Sequence, residues 1–249
     1  MSVNAACAGY RPVPEFDSGD SQKPLRIEGT PLTRLWRSRP VRGPFGPLAA
    51  DSLNLYLGGS DRRVAAVDLA SGRSRWTVRL PGPPVGGVLL SGDLVYAATD
   101  QPGGRVHALR AVSGAQLWST NTGYVEAPIA LAGSRLIVLN RRGQVLALEA
   151  ATGRVAWRHA LPSTHVPPVP LGGGHVLVTS YDSLYLVRVT DGKVALRRRA
   201  PGTVVSPWIQ AGDALVAGTG DSLVVAIRPD SLREMWRVRL DAPILVSPT

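Results

Sequence analysis

A cassette closed by tryptophan returns along this chain about every 40 residues, and no other feature limits the available folds so tightly. Its clearest copy is Ala66-Val67-Asp68-Leu69-Ala70-Ser71-Gly72-Arg73-Ser74-Arg75-Trp76. Further copies run from Ala108 to Trp118 around Gly114, from Ala147 to Trp157 around Gly153, and from Ala226 to Trp236. A degenerate copy runs from Leu186 through Gly192 to Leu196. The closing positions lie 42, 39, 39 and 40 residues apart. Short strands at such a period are the mark of propeller blades, units that bury their faces only by stacking on neighbours. The expected fold is all-β: a β-propeller of four-stranded antiparallel blades.

Five blades can be placed, from about 43 to 80, 83 to 120, 125 to 159, 166 to 199 and 204 to 240. Runs such as Leu136-Ile137-Val138-Leu139 and Leu223-Val224-Val225-Ala226 suit strands buried on both faces. Asn140-Arg141-Arg142-Gly143 and Gly220-Asp221-Ser222 fit turns between second and third strands. Ser71-Gly72, Ser113-Gly114, Thr152-Gly153 and Asp191-Gly192 fit the turns between third and fourth strands, where glycine takes positive φ cheaply. In the fifth blade Asp230-Ser231-Leu232 replaces that pair, which predicts a less regular turn. Leu32 to Trp36 resembles a final strand, and Ala242 to Thr249 resembles the opening of a blade. The domain reading is therefore a tail or tether over 1–30 and a partial propeller over 31–249. That propeller is incomplete: about five blades, an N-terminal closing strand and the start of a sixth.

The formal net charge is +10, a balance that favours nucleic acid, anionic lipid or acidic protein partners. The basic residues are scattered, and only Arg197-Arg198-Arg199 forms a run, so nucleic acid is not an expected partner. No apolar run reaches the length of a membrane helix. Cys7 is the only cysteine, which excludes an intrachain disulfide. Its setting, Asn4-Ala5-Ala6-Cys7-Ala8-Gly9, resembles a bacterial lipoprotein cleavage site, but only six residues precede it. Either the true start lies further upstream or the resemblance is accidental. Cys7 is thus a candidate for lipidation and a membrane tether.

The pattern Ala-x-Asp-x-x-x-Gly-x-x-x-Trp resembles the pyrroloquinoline quinone-type β-propeller repeat, over about 30–249. Gly72, Gly114 and Gly153 match that family's turn glycine, and Asp68 matches its acidic position, with Glu149 close. Arg110, Arg188 and Arg228 depart from the acidic position, and Leu196 departs from the tryptophan. The resemblance implies that each tryptophan docks on the next blade, so Leu196 predicts a weaker junction after the fourth blade. It also implies that Trp118 matters more to stability than Trp208, which lies outside the cassette.

Two functional branches follow from the resemblance. Quinoprotein dehydrogenases of the family carry adjacent cysteines and acidic calcium ligands beside their cofactor, and neither pattern stands in this sequence. The other branch, to which the propeller lipoprotein of the outer-membrane β-barrel assembly machinery belongs, uses the propeller as a binding platform. The expected function is a non-enzymatic protein-binding scaffold of the bacterial cell envelope, in the periplasm or at the inner face of the outer membrane. It would engage a protein partner through rim loops and assist outer-membrane protein assembly, with no cofactor and no small-molecule substrate. The alternative is a fragment of a quinone-dependent dehydrogenase. His107, His159, His165 and His175 lack metal-ligand spacing. Asp61, Asp100, Asp182 and Asp221 fall in or near second-to-third-strand turns and read as turn formers.

Overall fold

The computed structural model describes residues 34–44, 46–100, 103–125, 127–161 and 165–241. Twenty strands form five four-stranded antiparallel sheets in simple meander order. The first blade holds β1 (Ala49–Ala50), β2 (Asn54–Gly58), β3 (Arg63–Asp68) and β4 (Ser74–Arg79). The second holds β5 (Pro84–Ser91), β6 (Leu94–Thr99), β7 (Arg105–Arg110) and β8 (Gln116–Asn121). The third holds β9 (Ala130–Ala132), β10 (Arg135–Asn140), β11 (Gln144–Glu149) and β12 (Val155–Ala160). In the fourth are β13 (Val169–Leu171), β14 (His175–Thr179), β15 (Ser183–Arg188) and β16 (Val194–Arg199). In the fifth are β17 (Ile209–Ala211), β18 (Ala214–Gly218), β19 (Leu223–Ile227) and β20 (Glu234–Arg239).

The second and third strands of each blade are buried on both faces, which explains their near-continuous apolar runs. Alternate residues of one strand therefore belong to different cores. Val64 and Ala66 join Val95, Ala97 and Leu109 in the core between the first two blades. Ala65 and Val67 face the other way, onto Val41, Leu57 and Trp36. Three more cores of this kind fill the remaining seams. The fold is a row of sheets glued at four seams.

The fourth strand of every blade carries a bulge against the third. In the first blade Val67 pairs with Ser74 and Ala66 with Trp76, so Arg75 is the extra residue. A bulge re-aims the side chain beside it. Here that side chain is the closing residue of the cassette, which turns toward the next blade.

Residues 34–39 pair with no strand among the described residues. The N-terminal closing strand is represented by a docked Trp36 alone, because docking needs only the next blade whereas a strand needs a ladder partner. Leu32 and Thr33, the tail over 1–30 with Cys7, and the blade opening at 242–249 lie outside the described residues.

Two expectations are corrected by the packing. Trp208 is 5% exposed in the core between the fourth and fifth blades, and its Nε1 donates to Thr179 Oγ1 at 3.0 Å. It is a seam tryptophan that reaches backward from the entrance of its blade. Trp118 is only partly buried, so burial does not rank it above Trp208. The turn at Leu232 is also as regular as the glycine turns. Leu232 N donates to Arg228 O at 2.8 Å, as Gly72 N does to Asp68 O at 2.9 Å, with Leu232 held at φ 51°.

Candidate binding surface

The seams fix what remains free to bind. Trp36 Nε1 donates to Leu69 O at 2.7 Å, Trp76 to Ala111 O at 2.8 Å, Trp118 to Ala150 O at 3.1 Å and Trp157 to Val189 O at 2.8 Å. Each acceptor lies in the third-to-fourth-strand turn of the following blade. The indole covers that turn's glycine so closely that a Cβ at Gly72, Gly114, Gly153 or Gly192 would sit 2.5–2.7 Å from ring atoms. These glycines also hold φ between 69° and 73°. Glycine is thus required twice over, by conformation and by the ring above it.

The seam after the fourth blade uses different parts. Leu196 stands at the tryptophan position and Leu232 at the glycine position, and Leu232 is 2% exposed in that core. The side chain missing from one blade is supplied by the other. The predicted weak junction is in fact filled, by Leu196, Leu232 and Trp208.

Several polar residues that invite a catalytic reading are structural. His107 is 1% exposed, with Nδ1 3.0 Å from Gln116 Oε1 and Nε2 3.2 Å from Thr99 Oγ1. Burial pushes its pKa below the ordinary imidazole value; the Gln116 hydrogen bond opposes that shift, and Arg105 adds to it. His159 Nε2 lies 3.1 Å from Asp191 O, and its ring packs 5.6 Å from Trp157. Among the described residues no group of three or more His, Cys, Asp or Glu is placed to hold a metal ion. No helix there is long and apolar enough to cross a membrane.

The rim aspartates divide. Asp182 accepts from the Ser183 hydroxyl at 2.9 Å. Asp61 and Asp100 each keep a buried Oδ1 without a hydrogen bond, while Asp100 Oδ2 accepts from Arg141 at 3.2 Å. Turn closure through side-chain acceptors falls instead to Asn140, Asp51, Asp68 and Asp191. Sequence spacing could not separate these roles, because it does not reveal which carboxylate faces a backbone N–H.

At the end of the blades bearing the third-to-fourth-strand turns, charge is largely paired. Asp68 faces Arg75 at 2.5 Å, Arg188 faces Asp191 at 2.9 Å and Arg228 faces Asp230 at 3.1 Å, while Glu149 is paired with Arg154. At the opposite end Arg42, Arg62, Arg63 and Arg79 share one cavity with only Asp61. Along the outer edge of the fourth blade Arg197, Arg198 and Arg199 stand together. These two exposed clusters are therefore strongly basic, carried on the row of stacked sheets.

Stacked meander blades, each locked to the next through a turn carbonyl, define the chain as a β-propeller protein of the quinone-type repeat class. The family model described as outer membrane protein assembly factor BamB matches residues 32–123, 102–187 and 163–249. The chain belongs to that family. Among solved structures it is similar to BamB from Moraxella catarrhalis, at 21% identity and a TM-score of 0.67, covering 81% of this chain and 66% of that one. It is also similar to the computationally designed Ika8 protein, at 12% identity and a TM-score of 0.69, covering 80% of this chain and 63% of that one. The chain thus spans just under two thirds of the length of these structures. No curated protein matches it significantly.

Proposed function

We propose that this chain is a non-enzymatic protein-binding scaffold of the bacterial cell envelope that assists outer-membrane protein assembly. The observation that carries this reading is the family match, which runs in overlapping segments from 32 to 249. The site chemistry agrees with it. The buried imidazole of His107 is satisfied within the core, and the seam indoles are committed to backbone carbonyls. What the blades present outward includes an arginine-rich edge on the fourth blade suited to a protein partner. The protein works in the periplasm or at the inner face of the outer membrane, and Cys7 provides the lipid tether.

Cross-linking from the rim in intact cells, followed by mass spectrometry of the membrane fraction, tests the proposal. A component of the outer-membrane insertion machinery is the expected partner. Dye-linked dehydrogenase activity after loading with quinone and calcium would overturn the reading and favour the enzymatic branch. Intact mass of the membrane-extracted protein tests the tether: a diacylglycerol adduct at Cys7 is expected, and an unmodified thiol removes it.

A further inference from the structure

We propose that the outer edge of the fourth blade is a docking site for an extended acidic segment of a partner protein, gripped by Arg197, Arg198, Arg199 and Arg233. The proposal rests on the scaffold reading and gives it a location and a partner chemistry.

The backbone supplies the first part of the site. β16 is the last strand of its sheet and pairs only with β15, so its other edge presents free N–H and C=O groups. An extended peptide can add to such an edge through main-chain hydrogen bonds. Each blade has an outer strand, but their sequences differ. β8 has no Lys or Arg, β12 has only Arg158, and β4 and β20 have two separated arginines each, whereas β16 carries three consecutive arginines.

The second part is unneutralised charge. Many arginines face acids, as Arg75, Arg110, Arg141, Arg154, Arg188, Arg228 and Arg237 do, while Arg42, Arg62, Arg63 and Arg79 crowd around the single acid Asp61. Among the described residues Arg197, Arg198, Arg199 and Arg233 have no such partner. The first two are nevertheless held in place by neutral groups. The Arg197 guanidinium lies 5.5 Å from the Tyr185 ring centre and donates to Ser183 Oγ at 3.1 and 3.2 Å. Arg198 Nε donates to Ser231 O at 2.5 Å, across the seam. Two acids stand beside them: Glu234, on the fifth-blade side, is engaged by Arg237 at 2.5 Å, and Asp182, on the fourth blade, accepts from the Ser183 hydroxyl at 2.9 Å without an ion pair to the arginines.

Shape completes the argument. Successive side chains of a strand point to opposite faces. Arg198 therefore faces the fifth blade, while Arg197 and Arg199 face the third. Open cavities of about 680 and 390 Å³ share all three arginines, the first reaching Leu232, Arg233 and Glu234 of the fifth blade and the second reaching Asp182 and Ser183 of the fourth. A strand laid along β16 would pass between guanidinium groups on both flanks, each able to take a carboxylate in a two-pronged, charge-assisted contact. A lysine- or glycine-rich strand gains nothing there, so the charge selects an acidic one.

The test uses the whole chain and a fluorescein-labelled ten-residue peptide of alternating Glu and Val, followed by anisotropy at low salt. Binding should weaken roughly tenfold in the double variant Arg199→Glu, Arg233→Glu, two residues whose side chains form no ion pair among the described residues, and should fall steeply with salt. The double variant Arg62→Glu, Arg79→Glu removes the same charge from the first blade and should change binding by less than about twofold. A proline at the centre of the peptide should abolish binding, since it removes a ladder donor. Equal losses in the two double variants would mean that net charge alone attracts the peptide, and would overturn the site. So would an oligonucleotide that competes better than the peptide, or no binding at all. A chain that ignores the peptide yet still cross-links to its envelope partner would retain the scaffold function and lose only this site.

Discussion

The seam after the fourth blade offers the sharpest test of the docking logic, through the pair Leu196→Trp and Leu232→Gly. Leu232→Gly alone removes a side chain that is 2% exposed, a loss of about 2–5 kcal/mol for burial of that size. It also releases a leucine from φ 51°, which returns roughly 1–2 kcal/mol. The net cost is about 2 kcal/mol. Leu196→Trp alone drives an indole into Leu232, and overpacking of that kind costs about 1–3 kcal/mol. Independent effects would total about 4 kcal/mol. Together, however, the two changes rebuild the arrangement of the other seams. The indole lies over a glycine turn, and its N–H reaches Pro229 O, the counterpart of Val189 O, a bond worth about 0.5–1.5 kcal/mol. The double variant should fall within about 1 kcal/mol of the parent, a favourable coupling of roughly 3 kcal/mol. Urea midpoints at constant slope measure it. Additive losses would show that the two positions do not share one space, and the account of the seams would fail.

Other outcomes follow from the same geometry. Gly153→Ala places a Cβ 2.5 Å from the Trp118 ring at φ 72° and should lower the melting temperature far more than Gly133→Ala, which has the same left-handed strain but open space. Trp208→Ala should cost about 3–5 kcal/mol in thermal or urea unfolding, whereas Trp236→Ala, at 41% exposure, should cost much less. His107 links stability to pH. Its folded-state pKa is depressed by burial, so the unfolded chain takes up a proton near pH 6.5 that the folded chain refuses. Stability is full above that pH and falls below it, by at most about 1.4 kcal/mol per pH unit until the folded-state value is passed. Urea midpoints at pH 7.5 and 5.5 should differ in the parent and converge in His107→Gln; an unchanged difference would remove His107 as the cause.

Much of the fold was legible because a stacked sheet writes its burial twice. β10 and β11 face cores on both sides, so their apolar runs are continuous, and the third-to-fourth-strand glycines mark the turns. The recurrent bulge was not legible, since Arg75, Leu117 and Ala156 share no residue type. Trp208 was misjudged because it reaches its seam from outside the cassette. Leu196 and Leu232 were read as two separate defects, and only their proximity reveals one exchange. The basic edge was visible as Arg197-Arg198-Arg199, but sequence could not say that the carboxylates of Asp182 and Glu234 beside it form no ion pair with it.

The traded leucines have a consequence for inheritance by duplication. A blade that ends in an indole cannot precede one whose turn carries a leucine, and a blade that ends in leucine leaves a hole over a glycine. Neighbours are therefore matched like numbered pages. Copying or shuffling a unit across the fourth and fifth positions would misalign the binding, so the order of these blades is written into their shared borders.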